Sequence, residues 1–242
     1  MSVFALLDPA AHLVNDLVLR IADLLPGVTG GVALAVAIAL VTVLVRLLLL
    51  PLAVRAELVS RDRAALAPEL AALRRRFGTD RQRLVQETLR LQREAGVGPL
   101  AGVGAALLQV PVLMTLYRAV AAASVNGVPN VLFGAAVLGA PLSAHWPAVL
   151  ASAGMLSLPA TLFAVLLCAL AVVALVSGRQ QVARLRAVGP GDPVAGSTER
   201  VAVVLPFTTV AFAVVAPVAV TVYLLSTTTW TLVERALLGR FL

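Results

Sequence analysis

From residue 32 to residue 50 an apolar run is broken only by Thr42 and Arg46. A run of that length is what a bilayer selects, because about 20 mostly apolar residues in a helix cross its hydrocarbon layer. Similar windows recur near residues 100–122, 158–176 and 201–232. The whole chain is 60% hydrophobic and 13% charged, against roughly 45–50% and 25% for a soluble domain. These proportions exclude an ordinary globular protein and predict an all-α polytopic membrane protein.

The polar segments between the windows suggest an order of parts. Asp8-Pro9 starts a helix, with Asp able to cap free amides and Pro tolerated in the first turn. Leu13, Val14, Leu17, Val18, Ile21, Leu24 and Leu25 share one of its faces, and His12, Asp16, Arg20 and Asp23 the other. This pattern fits an N-terminal interfacial amphipathic helix within residues 1–27, or equally a helix packed on the protein itself. Asp8 precedes any Arg, unlike the basic start of a secretory signal, so this terminus is expected to be retained.

The first transmembrane helix is expected over residues 32–52, closed by Pro51 and Arg55. Residues 53–97 change character, with ten arginines against six acids and no strand alternation. They predict a cytoplasmic helical hairpin, with Leu66, Leu70, Leu73 and Phe77 facing Leu84 and Leu91 across a turn at Gly78, Thr79 and Asp80. A second transmembrane helix follows at 99–122, then an extracytoplasmic loop at 123–157 that contains no Asp, Glu, Arg or Lys. The apolar run at 131–140 in that loop is too short to cross and reads as interfacial or re-entrant. The third transmembrane helix is placed at 158–178 and a basic cytoplasmic loop at 179–200.

Residues 201–232 could form one long span or two short ones broken near Pro217. Charge decides, because cytoplasmic loops carry the Arg excess. Two spans, 201–215 and 217–233, keep Arg235 and Arg240 inside, in a cytoplasmic tail at 234–242. The expected fold therefore has five transmembrane helices, with the N-terminus outside and the C-terminus in the cytoplasm.

Arg46 is the residue most in need of an explanation, since an arginine at a span's centre costs about 2.5–3.5 kcal/mol and usually faces protein or water. It lies only four residues from Leu50, about 6 Å along the axis, so snorkelling to the interface is an equal alternative. Thr42 is one turn away and extends a polar stripe on that face. Gln109, Tyr117, Arg118, Tyr223 and Trp230 admit either a polar contact between helices or interface anchoring. No Ser/His/Asp or Cys/His set, metal-ligand spacing or phosphate-cradling loop accompanies them. The histidines, His12 and His145, lie outside the spans, and Cys168 is the single cysteine. Neither enzyme chemistry, a metal nor a cofactor is expected.

The order of features resembles the YidC family of membrane-protein insertases. Thr42-Val43-Leu44-Val45-Arg46 with Leu50-Pro51-Leu52 is similar to that family's first core span. Pro68-Glu69-Leu70, Phe77-Gly78 and Asp80 resemble its cytoplasmic hairpin. Glu94 to Gly102, then Gln109-Val110-Pro111-Val112 and Tyr117, resemble the hairpin exit and second span, and form the most specific part of the match. Pro206-Phe207 and the stretch from Pro217 to Tyr223 resemble the closing pair of spans. Gly98 stands where the family usually has Asn, and Ala219 where it has Gly.

The resemblance implies a bacterial plasma (inner) membrane protein of a minimal form, without the large extracytoplasmic domain of some members. It implies a groove, open to cytoplasm and lipid and closed outside, that receives Arg46 with Thr42, Gln109 and Tyr223 nearby. Nascent membrane-protein clients would enter it, alone or with the Sec translocon, with the lipid bilayer as destination and no small-molecule cofactor. Arg74, Arg75, Arg76 and Arg81 of the hairpin would recruit clients or the ribosome, although interspersed acids fit a solvated surface nearly as well. The competing readings are a small transporter or channel for an anionic solute and a non-catalytic assembly scaffold.

Overall fold

The computed structural model describes residues 8–25, 27, 28, 30–96, 114, 115, 117–119, 124, 125, 128–187 and 195–241. Most of the predicted second span, Gln109 included, lies outside the described residues.

Helix α1, Asp8–Asp23, packs against α2 with Ala11 and Val18 fully buried. Its polar face carries a His12–Asp16 contact of 3.1 Å, one helical turn apart. Helix α2, Gly30–Ala65, is 36 residues long and does not stop at Pro51. A proline inside a helix forfeits one backbone bond and crowds the preceding turn. Here it sits in a run of leucines and alanines with high helix propensity, and the helix continues through it. The end expected at residue 52 is therefore no helix boundary, and residues 53–65 form a charged extension of the apolar rod.

Helices α3, Ala67–Phe77, and α4, Arg81–Glu94, pack against each other across the Gly78–Asp80 turn. Pro68 occupies the first turn of α3, where a missing N–H costs nothing. The Asp80 side chain accepts a 3.1 Å bond from the Arg83 amide and caps α4. Asp80→Ala is expected to weaken this helix by about 1 kcal/mol. Limited trypsin digestion should then cut faster at Arg81 and Arg83, with the rest of the chain unaffected.

Between residues 124 and 153 the chain makes very short elements. Strands β1, Ser124–Val125, and β2, Val128–Pro129, pair antiparallel, as do β3, Ala136–Val137, and β4, Ala140–Pro141. Their registers are Ser124 with Pro129 and Val125 with Val128, then Ala136 with Pro141 and Val137 with Ala140. Leu138 and Gly139 turn the second hairpin, both at positive φ (48° and 82°), as a two-residue turn with the twist of the strands requires. A one-turn helix α5, Val131–Gly134, lies between the two hairpins, and α6, Trp146–Ala153, follows them. Of the apolar run at 131–140, Leu132, Val137 and Ala140 join one core with Leu142, Ile38, Phe163 and Val220, while Val131, Phe133 and Leu138 stay exposed. Gly31 at the start of α2 lies directly against the Ala136 carbonyl.

Helix α7, Leu158–Ala187, packs chiefly on α8, Ala195–Val215, while α9, Val218–Phe241, packs on α2 and α7. The break at Ala216-Pro217 is held by its surroundings. The amides of Val218 and Ala219 donate to the carbonyls of Ala144 (3.0 Å) and Leu142 (3.1 Å), so two otherwise open donors of α9 are satisfied by the preceding loop. His145 bridges Pro217 in the same place.

Among the described residues, two helical stretches are long and apolar enough to cross a membrane, Gly30–Asp62 and Leu158–Ala183, and Val203–Val215 is a shorter apolar helix. Helix α9 has the length, but Ser226, Thr227, Thr228 and Thr231 make its middle polar. The fold is thus mostly helical, and two of its helices among the described residues are membrane-capable rods.

Candidate functional site

Two helices with polar residues at four-residue spacing face one another inside the bundle. On α2 these are Thr42 and Arg46, and on α9 Tyr223 and Thr227. Residues four apart stack on one face of a helix, so each pair forms a short polar ridge. Arg46 links the ridges. Its Nε donates to Thr227 Oγ1 at 2.9 Å, and its Nη2 donates to the same oxygen. Thr227 is 1% exposed and Tyr223 4%, while Arg46 is half-buried. The guanidinium therefore extends from a partly accessible position to an acceptor in the dry interior. Tyr223 is buried one turn before Thr227 on α9, within electrostatic reach of Arg46.

Thr42 is buried on the Arg46 face, but its hydroxyl donates to the Ile38 carbonyl of its own helix at 2.7 Å. It shapes the wall rather than offering a donor to a visitor. The structure thus brings Arg46 and Tyr223 together, with Thr42 beside them, and Gln109 lies outside the described residues.

Thr227 is the member that sequence reasoning did not single out. Its signals were its place one turn after Tyr223 and its membership of Ser226-Thr227-Thr228. Three successive hydroxyls cannot share a face, and the structure separates them. Ser226 donates to Val222 O (2.9 Å), Thr228 to Leu224 O (2.6 Å) and Thr231 to Thr227 O (2.9 Å), each back into α9. Only Thr227 turns to α2.

A hydrogen bond to a charged group contributes about 1.5–3 kcal/mol. Thr227→Val keeps the volume and removes this acceptor from a half-buried cation. A loss of stability in that range is expected, read as a lower midpoint of thermal denaturation in detergent, and Thr227→Ser should restore most of it.

The four hairpin arginines form a separate set. Arg74, Arg75 and Arg76 end α3, where positive charge opposes the negative end of the helix dipole, and Arg81 begins α4. All four are exposed. Arg76 rests over the Phe77 ring, 5.2 Å from its centre, and borders a cleft of about 310 Å³ between α3 and α4. Glu69, Glu87, Arg90 and Glu94 also line that cleft, with Arg90 and Glu94 paired at 2.8 Å. Among the described residues, no group of three His, Cys, Asp or Glu side chains could hold a metal.

Comparison with known proteins extends this geometry. Residues 25–242 match the family described as 60Kd inner membrane protein. Membrane protein insertase YidC of Alkalihalophilus pseudofirmus is 34% identical over 109 residues, which cover 42% of this chain and 41% of that protein. Membrane protein insertase YidC 1 of Halalkalibacterium halodurans is 41% identical over 80 residues, 31% of each chain. Membrane protein insertase MisCA of Bacillus subtilis is 38% identical over 80 residues, again 31% of each. The matched stretches thus span less than half the length of these relatives.

Proposed function

Because the chain belongs to the 60Kd inner membrane protein family over residues 25–242, we propose that it is a membrane-protein insertase working through the polar ridges of α2 and α9. The observation that carries this reading is the Arg46–Thr227 contact, a cation held by a buried hydroxyl among apolar helices. The relatives named as membrane protein insertases support it.

The physics of the task explains why such a site is useful. A polar segment entering hydrocarbon loses its water, and each unsatisfied group then costs several kcal/mol. A groove lined by Arg46, Thr42, Gln109 and Tyr223 shortens the dry path. A fixed guanidinium in a medium of low dielectric also attracts acidic residues in a client's tail and holds them before release. Barrier lowering of this kind needs no nucleotide and no cofactor.

The accompanying topology is five spans with the N-terminus outside and the C-terminus inside, α1 at the outer interface and the α3–α4 pair in the cytoplasm. Residues 99–122 supply the second span, and α8 and α9 the last two. Helix α8 is 21 residues long, about 31 Å, with Val203–Val215 as an apolar stretch. Arg74, Arg75, Arg76 and Arg81 face the cytoplasm and recruit clients or the ribosome, and the Sec translocon is a partner for larger clients.

The reading is tested with liposomes that contain only this protein and a single-span client with an acidic N-terminal tail. Protease protection of the tail above that of empty liposomes is expected. No protection, with the protein shown to be folded, would favour a scaffold that acts only beside another translocon.

A further inference from the structure

From residue 119 to residue 178 the chain has no Asp, Glu, Arg or Lys, yet part of this region is fully exposed. At the turn joining α6 to α7, Met155 is 78% exposed and Leu156 100%, followed by Leu158 at 59%. Isolated apolar residues on a protein surface are ordinary. A protruding apolar tip with no charge in the surrounding chain is not how a water-facing loop is built.

The polar side chains around the tip point the same way. Ser152 donates to Ala148 O at 2.8 Å, Ser157 to Gly154 O at 2.8 Å and Thr161 to Ser157 O at 3.0 Å. Ser157 Oγ also accepts from the Ala160 amide at 3.3 Å and caps α7. The Gly154 amide closes α6 on Leu150 O at 3.2 Å. Each hydroxyl from 152 to 161 thus spends its donor on local backbone, as a segment must where water does not supply partners.

We propose that the α6–α7 turn is seated in lipid, with Met155 and Leu156 wedged among the acyl chains at the edge of the hydrocarbon layer. The occupant is fixed by continuity with α7. Leu158, Val165 and Val172, each more than half exposed and seven residues apart, form one apolar stripe that begins at the tip. From Leu158 to the first charge at Arg179 the helix rises about 31 Å, the thickness of the hydrocarbon layer. With Arg179 at one boundary, Leu158 lies at the other and the turn lies in the adjoining interface. This rests on the reading of α7 as a span, and it adds a second lipid contact that the span alone does not require. The α6–α7 joint is then held at fixed depth from both sides, by the core through Phe163 and by lipid through Leu156.

The test uses nitroxide labels in proteoliposomes, at Met155→Cys and Leu156→Cys in a Cys168→Ser background. Native Cys168, exposed and about 15 Å along α7 from Leu158, gives a deep reference. Thr79→Cys in the Cys168→Ser background gives an aqueous one. The ratio of collision with oxygen to collision with a water-soluble nickel chelate is expected to be several-fold higher at 155 and 156 than at 79, and lower than at 168. A ratio at both turn positions equal to that at 79, with 168 still deep, would place the tip in water and overturn the proposal. Shielding from both reagents would also overturn it, since a second copy of the chain would then cover the tip. If 168 itself matched 79, the reading of α7 as a span would fall together with the proposal.

Discussion

Arg46→Ala is expected to lower client insertion roughly ten- to hundredfold, the range that follows from losing a charged hydrogen bond of about 1.5–3 kcal/mol to the client. The reasoning separates the loss of function from loss of fold. Without Arg46, Thr227 keeps a neutral hydroxyl that can turn to the carbonyl four residues back, as Thr228 and Thr231 do in the same helix. Alanine also inserts into an apolar helix more readily than arginine. The variant should therefore reach the membrane and denature near the wild-type temperature while inserting poorly. Arg46→Lys should be milder, because the charge remains while the planar fork of donors is lost. The measurement is protection of the acidic client tail, with Arg93→Ala, exposed and outside the recruiting arginines, as a surface control. Full activity in both Arg46 variants would remove the guanidinium from the mechanism.

The largest effect on folding is expected from Gly31→Ala. A Cβ on Gly31 would stand 1.9 Å from the Ala136 carbonyl oxygen and 2.2 Å from its carbon. These are backbone atoms of β3, fixed by pairing with β4 and by the buried Val137 beside them, so no flexible side chain can move aside. Relief requires separating α2 from the β3–β4 hairpin, which breaks open the core they share. A cost of more than about 4 kcal/mol is expected, in the exceptional class for a single substitution. It should appear as poor recovery of folded protein and a large fall in the denaturation midpoint. Gly134→Ala is the matched control, because a Cβ there meets nothing within 4 Å and should be close to neutral.

What could be read before the structure divides along physical lines. The apolar run around Arg46 was legible because hydrocarbon imposes a length and a composition that no turn or loop satisfies. Arg46 and Tyr223 were legible because polar groups in such runs are rare. Thr227 was not, since the choice among three adjacent hydroxyls depends on how α9 is rotated about its axis, and that is set by packing on α2. Pro51 does not end α2 for a related reason. The penalty of one lost backbone bond is local, whereas the leucines and alanines on both sides favour helix over many residues. The small hairpins at 124–141 left no trace because two-residue strands are too short for alternation. Leu138 at positive φ occupies a turn position normally signalled by Asn, Asp or Gly.

The contacts that join α2 to α9 also fix an order of events during synthesis. Arg46 meets Thr227 across 181 positions of sequence, and Arg61 reaches the Leu238 carbonyl across 177. At translation speeds of about 5–20 residues per second, the first of these distances takes roughly ten to forty seconds to emerge. The first long helix is therefore made, and has left the site of synthesis, well before its final neighbour exists. The bundle closes last at its first long helix, and a chain that ends short of Thr227 can never make that closure.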